Sequence, residues 1–309
     1  MAKALPIDDV APETPFGAFA ARVIEIRAGE VDSVLAAGNA DAAGTHDRRV
    51  AIRRLRTALE VFEPALPKRG KSVRRELKGA FSALGPRRDA DVAVELLRAL
   101  EPHLAVDDRP GLESLLAAFA ADGAAGGDLD LDAAQRAREG AALLAERARA
   151  RGGPPAVQAL RASAARRMTA VTGGLDALED PRDVEALHDL RLAAKRLRYV
   201  LQAAAPALGP AARAGAKAAK ELQTLLGDLH DCDVLVPRVA EHRRALRAAD
   251  VTALEAGNDA ANAGLYRGVQ AVDTHLRVRR TRLREQAKAR HQPIADALQQ
   301  AAIDLELPA

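Results

Sequence analysis

The sequence predicts an all-α protein built from two copies of one helical unit. Two observations carry that expectation. Alanine makes up about a quarter of the 309 residues, and 38 of the 46 basic residues are arginine, while aromatics are 2% and tryptophan is absent. Alanine, leucine and arginine are strong helix formers, and the aromatic residues that fill sandwiches and barrels are scarce. The second observation is a repeat at an offset of 142 residues, which pairs Thr45–Arg56 with Leu187–Arg198.

The repeat is carried by His46-Asp47-Arg48-Arg49 against His188-Asp189-Leu190-Arg191, and by Arg54-Leu55-Arg56 against Arg196-Leu197-Arg198. The register then holds without a gap. Pro64 falls on Pro206, Lys71 on Arg213, Arg75 on Lys217, Lys78 on Lys220, Gly85 on Gly227, and Asp89 and Asp91 on Asp231 and Asp233. Internal repeats decide what a motif means. The expected organisation is a disordered segment 1–12, a first helical-bundle half at 13–155 and a second at 156–309.

Each element has a local reason. In the first half, Asp41 or Thr45 caps a helix that Pro64 ends, and its twin starts at Asp180-Pro181 and runs to about Ala204 before Pro206. A second helix spans about Lys68 to Leu84 and stops at Gly85; its twin spans Ala211 to Leu226 and stops at Gly227. A third follows Asp89 or Asp231 as N-cap. A fourth is expected at 132–150 and a long one near 259–290. Gly123–Asp130 and Gly152-Gly153-Pro154-Pro155 read as loops, the latter joining the halves. Short connections between helices imply bundles.

On a helical wheel of about 100° per residue, His46, Arg49, Arg53 and Arg56 share one stripe. Ile52, Leu55, Leu59 and Phe62 form the opposite, core-facing side. His188, Arg191, Lys195 and Arg198 repeat the stripe, with Leu190, Leu197 and Leu201 inward. Arg48 breaks the match by standing where Leu190 faces the core. Arg54 and Arg196 point elsewhere, to a neighbouring helix or to an acid such as Asp89 or Asp231. Lys71, Arg75 and Lys78, and their twins Arg213, Lys217 and Lys220, form a second pair of stripes at i, i+4, i+7. A solvated face would interleave glutamates for mutual support. Glu60 is almost the only one here. Two like charges about 6 Å apart repel by roughly 3 kcal/mol at an effective dielectric of about 20. Such repulsion, kept in both copies, calls for an anionic partner.

The net charge of +3 argues against a broadly basic surface. With two tyrosines and five phenylalanines there is little to stack on bases, which argues against nucleic acid. Arginine forks bind phosphate oxygens in bidentate fashion, and lysine adds point charge. A ligand made of phosphate alone fits best. The single Cys232 excludes a disulfide framework and a thiolate zinc site. No stretch approaches 18 uncharged apolar residues, and the first residues lack a signal-peptide run, so a cytoplasmic location is expected.

The repeated pattern His-Asp-x-Arg, then Arg-Leu-Arg, then Leu-Gly followed by Asp-x-Asp-Val, resembles the CHAD family, the conserved histidine α-helical domain. His188–Tyr199 is a close match and His46–Arg56 a good one, and the resemblance covers nearly the whole chain. Thr57 stands where the second copy has Tyr199. The resemblance implies two four-helix bundles related by an internal pseudo-twofold axis. It also implies a central basic groove or pore that binds inorganic polyphosphate, and association with polyphosphate granules and their proteins. Carried over by position, the ligand contacts are His46, Arg49, Arg53, Arg56, Lys71, Arg75 and Lys78, with His188, Arg191, Lys195, Arg198, Arg213, Lys217 and Lys220. Arg88 and His230, just before Asp89 and Asp231, join the set.

No catalytic residue, metal ligand or cofactor is expected. His46 and Asp47 point about 100° apart on a helix and do not converge on one ion. No serine sits beside a histidine, and Cys232 aligns with Ala90. The histidines are expected to donate hydrogen bonds to phosphate, and the basic tail of the last helix is either solvated or an extension of the groove. Two alternatives remain: a metal-dependent phosphohydrolase acting on short-chain polyphosphate or nucleotides, and a nucleic-acid scaffold.

Overall fold

The computed structural model describes residues 4–37, 42–68, 70–82, 85–124, 130–180 and 182–307; the side chains of Ala42, Ala43, Thr45, 80–82 and 85–88 are outside that description. Asp41, one of the two caps expected from the sequence, lies outside the described residues, as does Pro181.

The described residues are helical, in the order α1 (Phe16–Ala36), α2 (Ala42–Val61), α3 (Gly70–Ser82), α4 (Gly85–Arg98), α5 (Arg109–Ala124), α6 (Leu131–Arg151), α7 (Ala156–Thr172), α8 (Val184–Glu255) and α9 (Tyr266–Asp304). The wheel reading of α2 holds: Ile52, Leu55, Leu59 and Phe62 are fully buried, and on α8 so are Leu197 and Leu201, with Leu190 nearly so. Asp130 caps α6 through the Ala133 amide at 2.8 Å. Asp183, rather than Asp180, caps α8 through the Ala186 amide at 3.0 Å.

Three expected boundaries are corrected. The first break in α8 is at Gly209, which has φ 67° and ψ −148° between Pro206 and Pro210. That left-handed backbone suits glycine alone, and the prolines on either side discourage a straight helix. Beyond it, the helix runs through Gly227 and Asp231 to Glu255 without stopping. Leu222, Leu226, Leu229, Cys232, Leu235 and Val239 hold one continuous buried face. Burying each leucine is worth roughly 2 kcal/mol, which outweighs the roughly 1 kcal/mol cost of one internal glycine. In the first half, α4 spans Gly85–Arg98, so Asp89 is inside a helix rather than at its cap. Pro86 sits in the first turn of α4, where its missing amide costs nothing. The long last helix starts at Tyr266 and reaches Asp304.

Packing arranges these helices around two apolar cores. α1 packs on α2 and α6, and α3 on α2 and α6; α7 packs on α8, and α9 on both. The larger core takes side chains from α1, α2, α3, α6 and α7, from α8 as far as Cys232, and from α9 beyond Leu283. The second joins Leu97, Leu112, Leu115 and Phe119 of α4 and α5 to Leu235, Val239, Val269, Val272 and Leu276 of the distal α8 and α9. Both cores cross residue 155.

The glycine-proline junction at 152–155 is pinned rather than loose. The Phe16 amide donates to the Pro154 carbonyl at 2.8 Å, Gly17 to Gly152 at 2.7 Å, and Ala156 to Thr14 at 2.8 Å. A Cβ on Gly17 would lie 2.0 Å from the Ala148 carbonyl oxygen, so only glycine lets the start of α1 approach the end of α6. Residues 4–15, expected to be part of a disordered terminus as far as residue 12, lie along α1. The Leu5 amide donates to Glu30 at 2.7 Å, Arg27 donates to the Leu5 carbonyl at 3.2 Å, and Ile7 and Val10 pack on the larger core.

Candidate functional site

The helical period places His46, Arg53 and Arg56 on one side of α2, and His188, Arg191, Lys195 and Arg198 on one side of the first arm of α8. The fold then brings α2 and α8 together. Lys195 records the result. Its ammonium is held below the usual lysine range, first by burial and then by the positive fields of Arg56, Arg191, Arg53 and Arg198. Two of those arginines come from α2 and two from α8. Arg191 and Arg198 each keep a buried Nε with no hydrogen-bond partner among the described residues. Burial with an unmet donor is costly, and an arriving acceptor relieves it.

One turn before Arg191, the His188 ring lies 5.2 Å from that of His230. His230 comes from beyond the Gly209 kink, so the two arms of α8 fold back on each other here. The His230 imidazole titrates below its usual range, mainly through burial and then through Arg191 and His188, against the opposing pull of Asp231 and Asp233. Asp233, almost fully buried, is ion-paired with Arg280 of α9. Arg284 lies in the fields of Arg280, Arg182, Asp233 and Asp180, and burial is the main cause of its lowered pKa. On the other side, Arg53 and Arg198 line a cavity of about 500 Å³ together with His46, Arg54 and Arg27. Shared neighbours thus link the cations in series, from Arg27 and His46, through Arg53, Arg198, Lys195, Arg191 and the two histidines, to Arg280 and Arg284.

A family model described as "CHAD domain" matches residues 18–240. The chain belongs to the CHAD domain family. Its fold is shared by solved structures, among them the following two. The crystal structure of the CHAD domain from the plant Ricinus communis superposes with a TM-score of 0.66 at 21% identity, over 96% of this chain and 95% of that one. PptA from Streptomyces chartreusis superposes with a TM-score of 0.60 at 16% identity, over 91% of this chain and all of that one. No curated protein matches the chain.

Within this CHAD domain, the remaining sequence candidates divide. Arg49 is half-buried on α2. Arg75, Lys78, Arg213, Lys217 and Lys220 are exposed. Lys71 is exposed beside Glu63, 4.0 Å away, which also pairs with Arg74 at 3.0 Å. The side chain of Arg88 is outside the described residues. Arg54 and Arg196 each reach a neighbouring helix, as expected: Arg54 is 3.7 Å from Glu30 of α1, and Arg196 of α8 is 3.9 Å from Glu60 of α2. Arg48 is half-buried with an unpartnered Nε among the described residues.

Sequence reasoning missed Arg27 and Arg182 as neighbours of these cations, and left Arg280 and Arg284 undecided. Their i, i+4 spacing on α9 was the available signal. It also missed a serine–histidine contact. Ser114 Oγ of α5 lies 2.9 Å from His242 Nε2 of α8, joining residues 128 apart in sequence, beside the second core. Among the described residues, no group of three or more His, Cys, Asp or Glu could hold a metal ion. No helix of the described residues is long and apolar enough to cross a membrane.

Proposed function

We propose that this CHAD domain binds inorganic polyphosphate, without turning it over, along the linked cations of α2 and α8. The observation that carries the reading is Lys195, held below its usual pKa among Arg56, Arg191, Arg53 and Arg198. Five cations drawn from two helices, with two buried arginine nitrogens unmet among the described residues, suit a partner with closely spaced negative charges along its length. Each phosphate unit supplies acceptor oxygens that arginine engages in pairs. A nucleic acid would spread its charges further and ask for stacking surfaces that this composition lacks.

In this reading the chain is an internal duplication. α2 and the first arm of α8 are twins facing each other across a basic groove, and α3–α4 match the second arm. The shared 142-residue register supports it. Association with polyphosphate granules in the cytoplasm follows as part of the same proposal.

The test is binding across a polyphosphate length series, with Arg191→Ala and Arg49→Ala as controls. Affinity is expected to rise with length, to drop in both variants, and to fall steeply with salt as counterions cease to be released. Phosphate release with added Mg²⁺ or Mn²⁺, lost in His188→Ala, would replace the binding reading with hydrolysis. Failure of long polyphosphate to displace bound RNA or DNA at physiological salt would replace it with a nucleic-acid scaffold.

A further inference from the structure

The cavity of about 500 Å³ beside Arg53 and Arg198 has walls that a bare phosphate chain does not use. Ile7, Val23 and Val50 supply apolar surface and Tyr199 aromatic surface, with Thr57 and Gln202 as the neutral polar groups. Its volume lies within the range of roughly 300–1,000 Å³ in which small-molecule sites fall, and such sites combine apolar walls with a few convergent polar groups.

The cations around it are not equivalent. Arg27 is ion-paired with Glu30, and Arg54 lies 3.7 Å from the same carboxylate. Arg27 and Arg54 therefore have their charge largely answered. Arg53 and Arg198 do not share that acid, and Arg198 keeps a buried Nε unmet among the described residues while its guanidinium lies 4.8 Å from the Tyr199 ring centroid. The polarity of the cavity is thus one-sided: charge that no acid among the described residues answers where it joins the Lys195 cluster, apolar and aromatic surface behind. Ile7 completes the apolar wall because the segment before α1 is tied down through Leu5.

We infer that this cavity is a second binding site, for a nucleoside di- or triphosphate whose phosphates meet Arg53 and Arg198 and whose base and sugar occupy the apolar side. Inorganic phosphate chains would fill only the charged end. Arg53 and Arg198 belong to both sites, so an occupant here competes with a polyphosphate chain on the cation series. Only that competition rests on the polyphosphate reading; the cavity itself does not.

The experiment is calorimetric titration with ATP, with inorganic tripolyphosphate and with long-chain polyphosphate, in magnesium-free buffer. ATP is expected to bind at least tenfold more tightly than tripolyphosphate, which has the phosphates without the base and sugar. Ala203→Phe fills the cavity from α8, where Ala203 is half-buried on its wall. That variant should lose the preference for ATP while tripolyphosphate and long-chain binding stay as in the parent. Tyr199→Ala, which removes the aromatic surface without adding bulk, should lose it as well, and carries the test if Ala203→Phe fails to fold. Equal affinity for ATP and tripolyphosphate, no ATP binding, or an ATP preference that survives in both variants overturns the inference. ATP binding without any long-chain binding would overturn the proposed function and leave this inference standing.

Discussion

His188 and His230 stand 42 positions apart on one helix, yet their rings are 5.2 Å apart, because the chain turns back at Gly209 between them. His230 lies in the fields of Arg191 and His188, with Asp231 and Asp233 also nearby. In the free protein burial and the neighbouring cations favour the neutral form of His230. The unfolded chain then binds more protons between the lowered native pKa and the ordinary value near 6.5, so ligand-free stability rises with pH across that window and is lost on acidification. Phosphate reverses the preference, because it favours the imidazolium. Polyphosphate affinity should therefore increase as pH falls from about 7.5 towards 5.5, with proton uptake on binding. The measurements are thermal melts and binding isotherms over that range, and His230→Gln should flatten both profiles.

Lys195 is a case where function and stability pull apart. Removing its charge relieves repulsion from Arg56, Arg191, Arg53 and Arg198. Lys195→Met should raise the melting temperature of the ligand-free protein by about 2 °C, the shift expected for a gain of about 1 kcal/mol in a chain of this size. The same variant should weaken polyphosphate binding by roughly tenfold and make the logarithmic salt dependence shallower by nearly one unit. A melting temperature that falls would refute the repulsion on which the prediction stands.

Two glycines of α8 make opposite predictions. Gly209 has φ 67°, a backbone that a Cβ disfavours, and Gly209→Ala should destabilise by about 1–2 kcal/mol. Gly227 is helical, with open space where a Cβ would go, so Gly227→Ala should stabilise by up to about 1 kcal/mol. Denaturant midpoints of the two variants should move in opposite directions.

Glu30 holds the segment before α1. It is 6% exposed and answers Arg27, Arg54 and the Leu5 amide together. Glu30→Gln leaves Arg27 half-paired in a buried place, at a cost of about 3 kcal/mol. Hydrogen exchange at Leu5 should accelerate well beyond the change seen in the helices.

The sequence made the helical stripes readable because a repeat at fixed offset shows which charges are kept on which face. Ile52, Leu55 and Leu59 then placed the core side of α2 correctly from the wheel. It was weaker at helix ends. Gly227 carries the local signal of a helix stop, and only the run of buried leucines around it marks a helix interior. Partnerships across elements were beyond it altogether. Arg54 finds Glu30 on α1, a helix whose place no motif marked, and Arg53 meets Lys195 only because α2 packs on α8. Periodicity orders residues within one helix and is silent about which helix comes next to it.

α9 serves both cores: Val269, Val272 and Leu276 close the second, and Leu283, Ile294, Leu298 and Ala301 belong to the first. An assembly of α1 to α8 would therefore leave an open apolar face along each lobe. Cooperativity follows from that shared rod. The two lobes are expected to melt in a single transition, and a fragment lacking α9 should be trapped as a sticky, half-collapsed chain rather than as one finished lobe and one ragged one.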